Sequence, residues 1–145
     1  MEVLDMTYID SVSDGDEELK SSLLGIFKEQ LDEFREGFEK MYETEDWYSM
    51  AALAHKAKSS ISSLGMDELA VAMKKLEMMC KLLCVEKHIV DGQKADDYNF
   101  QIKKTSEKIM KWVYDNKSKK SIHDLIFFYI LQSEKAKSDL EELCG

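Results

Sequence analysis

Apolar residues recur at Leu24, Phe27, Leu31, Phe34, Phe38 and Met41. Alternating steps of three and four put them on one stripe of a helix, the seam of a bundle. The pattern predicts a helix from Glu17 to about Glu43. Ser13-Asp14-Gly15-Asp16 breaks the chain before it, and Asp14 or Asp16 can cap it. Ahead of the break, Met6 to Ser13 reads as a short first helix with Tyr8, Ile9 and Val12 apolar. Gly25 and Gly37 sit inside the long helix, each costing about 1 kcal/mol against alanine; they are candidates for close approach of a neighbour.

The same rhythm returns at Trp47, Met50, Ala54, Ala57, Ile61 and Leu64. Glu43-Thr44-Glu45-Asp46 forms the turn, Thr44 or Asp46 is the N-cap, and Gly65 is placed to end the helix in the left-handed conformation. A third seam, Leu69, Met73, Leu76, Cys80 and Leu83, predicts a helix from about Asp67 to Lys87. The large side chains of the first seam can fill the space left by Ala54 and Ala57.

Asp91-Gly92-Gln93-Lys94 reads as a loop, and a helix from about Asp96 to Tyr114 follows, with its seam at Tyr98, Ile102, Thr105, Ile109 and Trp112. Asp115-Asn116-Lys117-Ser118 breaks again, and Ser121 can cap a last helix reaching about Leu143. Its run from Leu125 to Leu131 is apolar on every side; with no sheet partner elsewhere, a buried helix turn is the reading. The expected fold is all-α: one domain over 1–145, an antiparallel up-down four-helix bundle with a short N-terminal helix and an extra C-terminal helix. Residues 96–115 are assigned as the fourth bundle helix and 119–143 as the added element, expected to cover the bundle.

Composition narrows the function. No proline and six glycines leave an all-β chain without its turns, and 44% hydrophobic with 34% charged residues suits a helical protein. A formal net charge of −9 disfavours nucleic-acid binding. Three cysteines make no disulfide framework and fit a reducing cytoplasm. Met1 to Asp10 lacks the layout of a signal peptide, Leu125 to Leu131 is too short to span a bilayer, and Cys144 stands outside a prenylation box. A cytoplasmic, monomeric chain with no membrane partner is expected, and the starting Met with no flanking linker suggests a free-standing one. Cys80, Cys84 and His88 share a helical spacing of four, but Cys80 belongs to the seam and no fourth ligand is evident, so no metal site is assigned.

The chemistry centres on His55. At about 100° per residue it lies roughly 130° from the centre of the second seam, facing out of the bundle. Its neighbours three, four and seven positions away are Ala51, Ala52, Lys58, Ser59 and Ser62: four small residues and one cation. An exposed imidazole in a cleared patch suits a group that another protein must reach.

Ala54-His55-Lys56-Ala57-Lys58-Ser59-Ser60-Ile61-Ser62-Ser63-Leu64-Gly65 resembles the histidine phosphotransfer (HPt) domain, whose pattern is Ala-His-x-Leu-Lys-Gly-Ser-x(4)-Gly before an apolar helix. Ala54, His55, Lys58, Ser60, Leu64, Gly65 and Leu69 fall in register, and the opening Asp14-Gly15-Asp16 with Phe27 and the later Lys75-Leu76-Glu77 are similar too. The resemblance covers residues 1 to about 90. Ala57 replaces a leucine, and Ser59 replaces the glycine that in the family keeps the site open.

The resemblance implies a carrier step in a phosphorelay: a receiver's phospho-aspartate gives its phosphoryl group to His55, which passes it to another receiver. An ordinary imidazole pKa of about 6.5 supplies a neutral nucleophile at pH 7, and Lys58 can offset phosphoryl charge, with Ser62 and Ser59 near the group. No nucleotide loop or kinase signature accompanies them, so a carrier without ATP use or self-phosphorylation is expected. No cofactor is assigned to this chain; Mg²⁺ belongs to the receiver. The implied partners are response-regulator receiver domains and a hybrid sensor histidine kinase. They would be met by Ala51, Ala52 and Ser59, with Tyr48 at the edge and Ile9 or Val12 from the first helix. The alternatives are a non-catalytic helical interaction module and a regulator that binds receivers without carrying phosphate. Ser59 favours them; the intact His-x-x-Lys opposes them.

Overall fold

The computed structural model describes residues 3–144, Cys144 by its backbone alone. Met1, Glu2, the Cys144 side chain and Gly145, which entered the readings on leader and lipidation, lie outside the described residues. Among the described residues there are seven helices: α1 (Thr7–Ser13), α2 (Glu17–Thr44), α3 (Trp47–Ser63), α4 (Asp67–Glu86), α5 (Gly92–Lys104), α6 (Glu107–Asn116) and α7 (Lys119–Cys144). None of them is long and apolar enough to cross a membrane.

The helix boundaries follow local chemistry. Asp16 and Asp46 accept the Leu19 and Ser49 backbone N–H groups, each at 3.0 Å, and so start α2 and α3. Thr44 instead closes α2, whose end turns through Glu45 in the left-handed region. Gly65 holds φ +73° between α3 and α4, where a Cβ would stand 2.3 Å from the Asp5 Cβ. Asp5 N–H donates to the Leu64 carbonyl at 2.9 Å, so this turn also anchors the segment leading into α1. Within α2, a Cβ at Gly37 would meet the Leu53 Cδ2 at 2.5 Å, so this glycine does admit a close neighbour. Gly25 has nothing within 4 Å and admits none.

Helices α2, α3, α4 and α7 form a ring, each touching the next, with α1 against α2 and with α5 and α6 against α4. Leu24, Leu31, Phe34 and Phe38 of α2 and Ala54 and Ala57 of α3 are buried in one core, and the two helices pack against each other. Successive ion pairs set the direction of α7: Lys28–Glu141, Asp32–Lys137, Arg35–Glu134 and Glu45–Lys119 run in opposite orders along the two chains. α7 is therefore antiparallel to α2, and the bundle is up-down-up-down. These exposed pairs are worth little individually; burial carries the contact. Tyr129, fully buried, donates its hydroxyl to the Leu31 carbonyl at 2.6 Å and meets Phe38 edge-on at 5.3 Å.

Two expectations change. The fourth bundle helix is α7, not residues 96–115, and the helical addition is the α5–α6 pair. A helix of 13 or 10 residues, about 20 or 15 Å long, is too short to line the 20-residue α4. Of the Leu125–Leu131 run, expected as a buried turn, Leu125, Ile126 and Tyr129 are buried where α7 sits between α2 and α4, whereas Phe127 and Leu131 are exposed. The expected single helix over 96–114 breaks at Thr105, whose ψ of 147° is extended, and Ser106 Oγ caps α6 from the Ile109 N–H at 3.3 Å. Gly92 already opens α5 within the expected loop, and Ser118, not Ser121, caps α7: its Oγ accepts the Ser121 N–H at 3.0 Å.

Candidate functional site

Three alanines of α3, Ala51, Ala54 and Ala57, are fully buried, which draws the helix against its neighbours and turns position 55 outward. The His55 side chain is 62% exposed. Lys58, one turn on, is half-buried, and no ion pair to it is present among the described residues.

The inner edge of His55 meets α4. Its Nδ1 lies 3.3 Å from Glu77 Oε1 and 3.2 Å from Oε2. The Glu77 side chain is 1% exposed, and two further cations surround it: Lys81 Nζ at 2.5 Å and Lys74 Nζ at 3.7 Å. Burial pushes the Glu77 carboxyl up, but the hydrogen bond and charge of Lys81, then the charges of Lys74 and His55, outweigh it and hold the group below the usual carboxylate range. An ionised carboxylate only accepts, so Nδ1 must carry the proton. In the neutral ring that leaves the lone pair on Nε2, the nitrogen turned away from Glu77.

Lys81 is itself buried and is held from α5. Its Nζ donates to Gln101 Oε1 as well as to Glu77, and it lies 5.4 Å from the centroid of the Tyr98 ring. The far wall of the site comes from the same element. An open cleft of about 640 Å³ has Ala51, Ala52 and His55 on one side and Tyr98, Phe100 and Lys104 on the other. At its edge Tyr48 and Tyr98 stack at 6.3 Å, and Lys94 Nζ stands 5.8 and 5.7 Å from the two rings.

Ser59 is one turn of α3 on from His55 and faces the other side of the helix surface from the cleft. With Ser60 and Ser63 it lines a second groove of about 280 Å³, closed by Tyr8, Val12, Ile26 and Phe27 of α1 and α2. Ser62 is exposed and lines neither groove. Val12 and Tyr48 are 46% and 42% exposed, as a contact surface needs. Ile9 is not: it is 0% exposed and belongs to the core that seats α1. As a contact residue it is corrected, and an aspartate there would unseat the helix instead of altering a free surface. Ala51 too is fully buried and serves as cleft floor. Cys80 and Cys84 are both buried, and burial pushes their thiols up, Cys84 to about 11, away from the thiolate a metal needs.

Glu77 and Lys81 were assigned no role from the sequence. Glu77 entered only through the similarity of Lys75-Leu76-Glu77 to the family pattern, and Lys81 not at all. The available signal was their setting, Leu76-Glu77-Met78-Met79-Cys80-Lys81-Leu82-Leu83, a charged pair in an apolar run.

Neither a curated protein nor a solved structure matches the chain. The Hpt domain family model matches residues 22–110, which holds α3, α4, α5 and most of α2. That stretch is more than half of the chain and carries His55, Glu77 and Lys81 together, so the chain belongs to the Hpt domain family.

Proposed function

We propose that this chain is a phosphorelay carrier in which His55 takes a phosphoryl group from the phospho-aspartate of one receiver domain and gives it to the aspartate of another. Hpt domains are phosphocarriers of phosphorelays and interact with receivers. One observation supports His55 as the carrier above all: its Nδ1 is engaged by a buried carboxylate while most of its side chain faces solvent. The Nε2 lone pair attacks phosphorus, the P–O bond to aspartate breaks, and the carboxylate leaves with the electron pair. The Nδ1 proton stays on the ring, and Glu77 offsets the positive charge the imidazole gains. Lys58 offsets charge on the phosphoryl oxygens, while Mg²⁺ belongs to the receiver. Ala52, Tyr48, Val12 and Ser59 provide the contact surface on either side of α3. Ser62 stands further along α3 and has no assigned contact.

The test is labelling of the purified chain by a phosphorylated receiver or a small phosphoramidate. An acid-labile, alkali-stable label absent from His55→Ala is expected. A label that survives His55→Ala would place the carrier elsewhere. No label on the folded wild type, with receiver binding intact in His55→Ala, would make this a binding module.

A further inference from the structure

Glu77 and Lys81 are the only buried charged side chains among the described residues. A buried ion pair is a costly way to build a core, since apolar residues of similar volume commonly serve at least as well. Their position is therefore informative. Glu77 ends on His55, and Lys81 ends on α5, the helix that forms the far wall of the cleft. With Glu77 Oε2 on one side, Gln101 Oε1 on another and the Tyr98 ring alongside, the Lys81 ammonium is confined to one place.

We propose that Gln101, through Lys81 and Glu77, is a positioning residue for His55, fixing which ring nitrogen is presented to the partner. The proposal rests on His55 being the phosphoryl carrier only for its consequence, not for its geometry. The physical argument is a chain of constraints. Either carboxylate oxygen can accept from the Nδ1–H, Oε1 at 3.3 Å and Oε2 at 3.2 Å, so the orientation of Glu77 decides how firmly the ring is held. Lys81 pins Oε2, and Gln101 pins Lys81. Without the amide carbonyl, the ammonium gains freedom towards the water of the cleft. Glu77 then loses its fixed orientation, and the second tautomer, with the proton on Nε2 and no free pair facing out, gains population. Gln101 itself is exposed, so changing it leaves the core intact.

The experiment uses the full chain with Gln101→Met, Glu77→Gln and the double variant. The tautomer of His55 is read from its ring ¹⁵N shifts, and phosphoryl uptake from a phosphorylated receiver is followed in single turnovers over a range of receiver concentration. In Gln101→Met the Nε2–H tautomer should rise, and the maximal rate should fall by roughly three- to tenfold with half-saturation unchanged. In the Glu77→Gln background, Gln101→Met should add no further loss, because its effect runs through Glu77. An unchanged tautomer ratio in Gln101→Met overturns the proposal. So does a loss carried wholly by half-saturation, which would make α5 a docking wall only, or full additivity with Glu77→Gln. If wild-type chain takes no label, the carrier reading fails on its own; the tautomer comparison needs no phosphoryl donor and still decides the relay.

Discussion

At the scale of single residues, Glu77 is the group with most at stake. It is buried against Lys81, and its carboxyl is held below the usual range despite burial. A depressed pKa in the folded state contributes stability that is present above the unfolded value, about 4.3. That stability is lost as pH falls through the folded value. Glu77→Gln removes the charge and keeps the shape. At pH 7 the variant should be less stable than wild type by about 1–3 kcal/mol. The gap should close below about pH 4 as the wild-type carboxyl takes a proton. Denaturant melts at both pH values measure it, and a gap that widens on acidification would contradict the assignment. Position 55 was legible from the seam alone, because it lies roughly 130° from the centre of the seam that Ala54 and Ala57 share and must face outward. The role of Glu77 was not legible, because its contact with His55 of α3 and the hold of Gln101 of α5 on Lys81 arise only when the three helices pack.

Among the elements, the turn between α3 and α4 does more than reverse the chain. Gly65 takes a φ that an L side chain rarely adopts, and the Asp5 backbone N and Cα would lie 3.1 Å from a Cβ there. Gly65→Ala should therefore cost about 1–3 kcal/mol in a denaturant melt, from left-handed strain and from displacing the segment that leads into α1. A variant as stable as wild type would mean that the segment moves aside freely. Gly65 was readable in advance because helix-ending glycines have a local cause. The division between α5 and α6 was not. Thr105 fits the seam of a continuous helix, and only the Ser106 cap, with Glu107 after it, marks the break. Local pattern states where helices can form, whereas which of them closes a bundle depends on matching lengths and faces.

For the whole molecule, the bundle and the matched family stretch do not end together. The match stops at residue 110, inside α6, yet the ring of four helices closes only with α7. α7 buries Ile122, Leu125, Ile126, Tyr129 and Leu140. At about 1.5–3 kcal/mol for each large side chain removed from water, these five alone contribute on the order of 10 kcal/mol. That equals the whole net stability of an ordinary domain, about 5–15 kcal/mol. Removing α7 also uncovers Leu31 and Phe38 and leaves the Leu31 carbonyl without the Tyr129 hydroxyl. A chain ending at residue 116 keeps His55, Lys58, Glu77, Lys81 and Gln101, every residue assigned to the transfer chemistry. It should nonetheless lose cooperative thermal unfolding and near-ultraviolet circular dichroism while retaining helix and binding a hydrophobic dye. Retention of a sharp melting transition would show that α2, α3 and α4 hold together with α5 and α6 alone. The result would then return 119–143 to the role of an addition, and the Tyr129 contact to a surface ornament of a three-helix core.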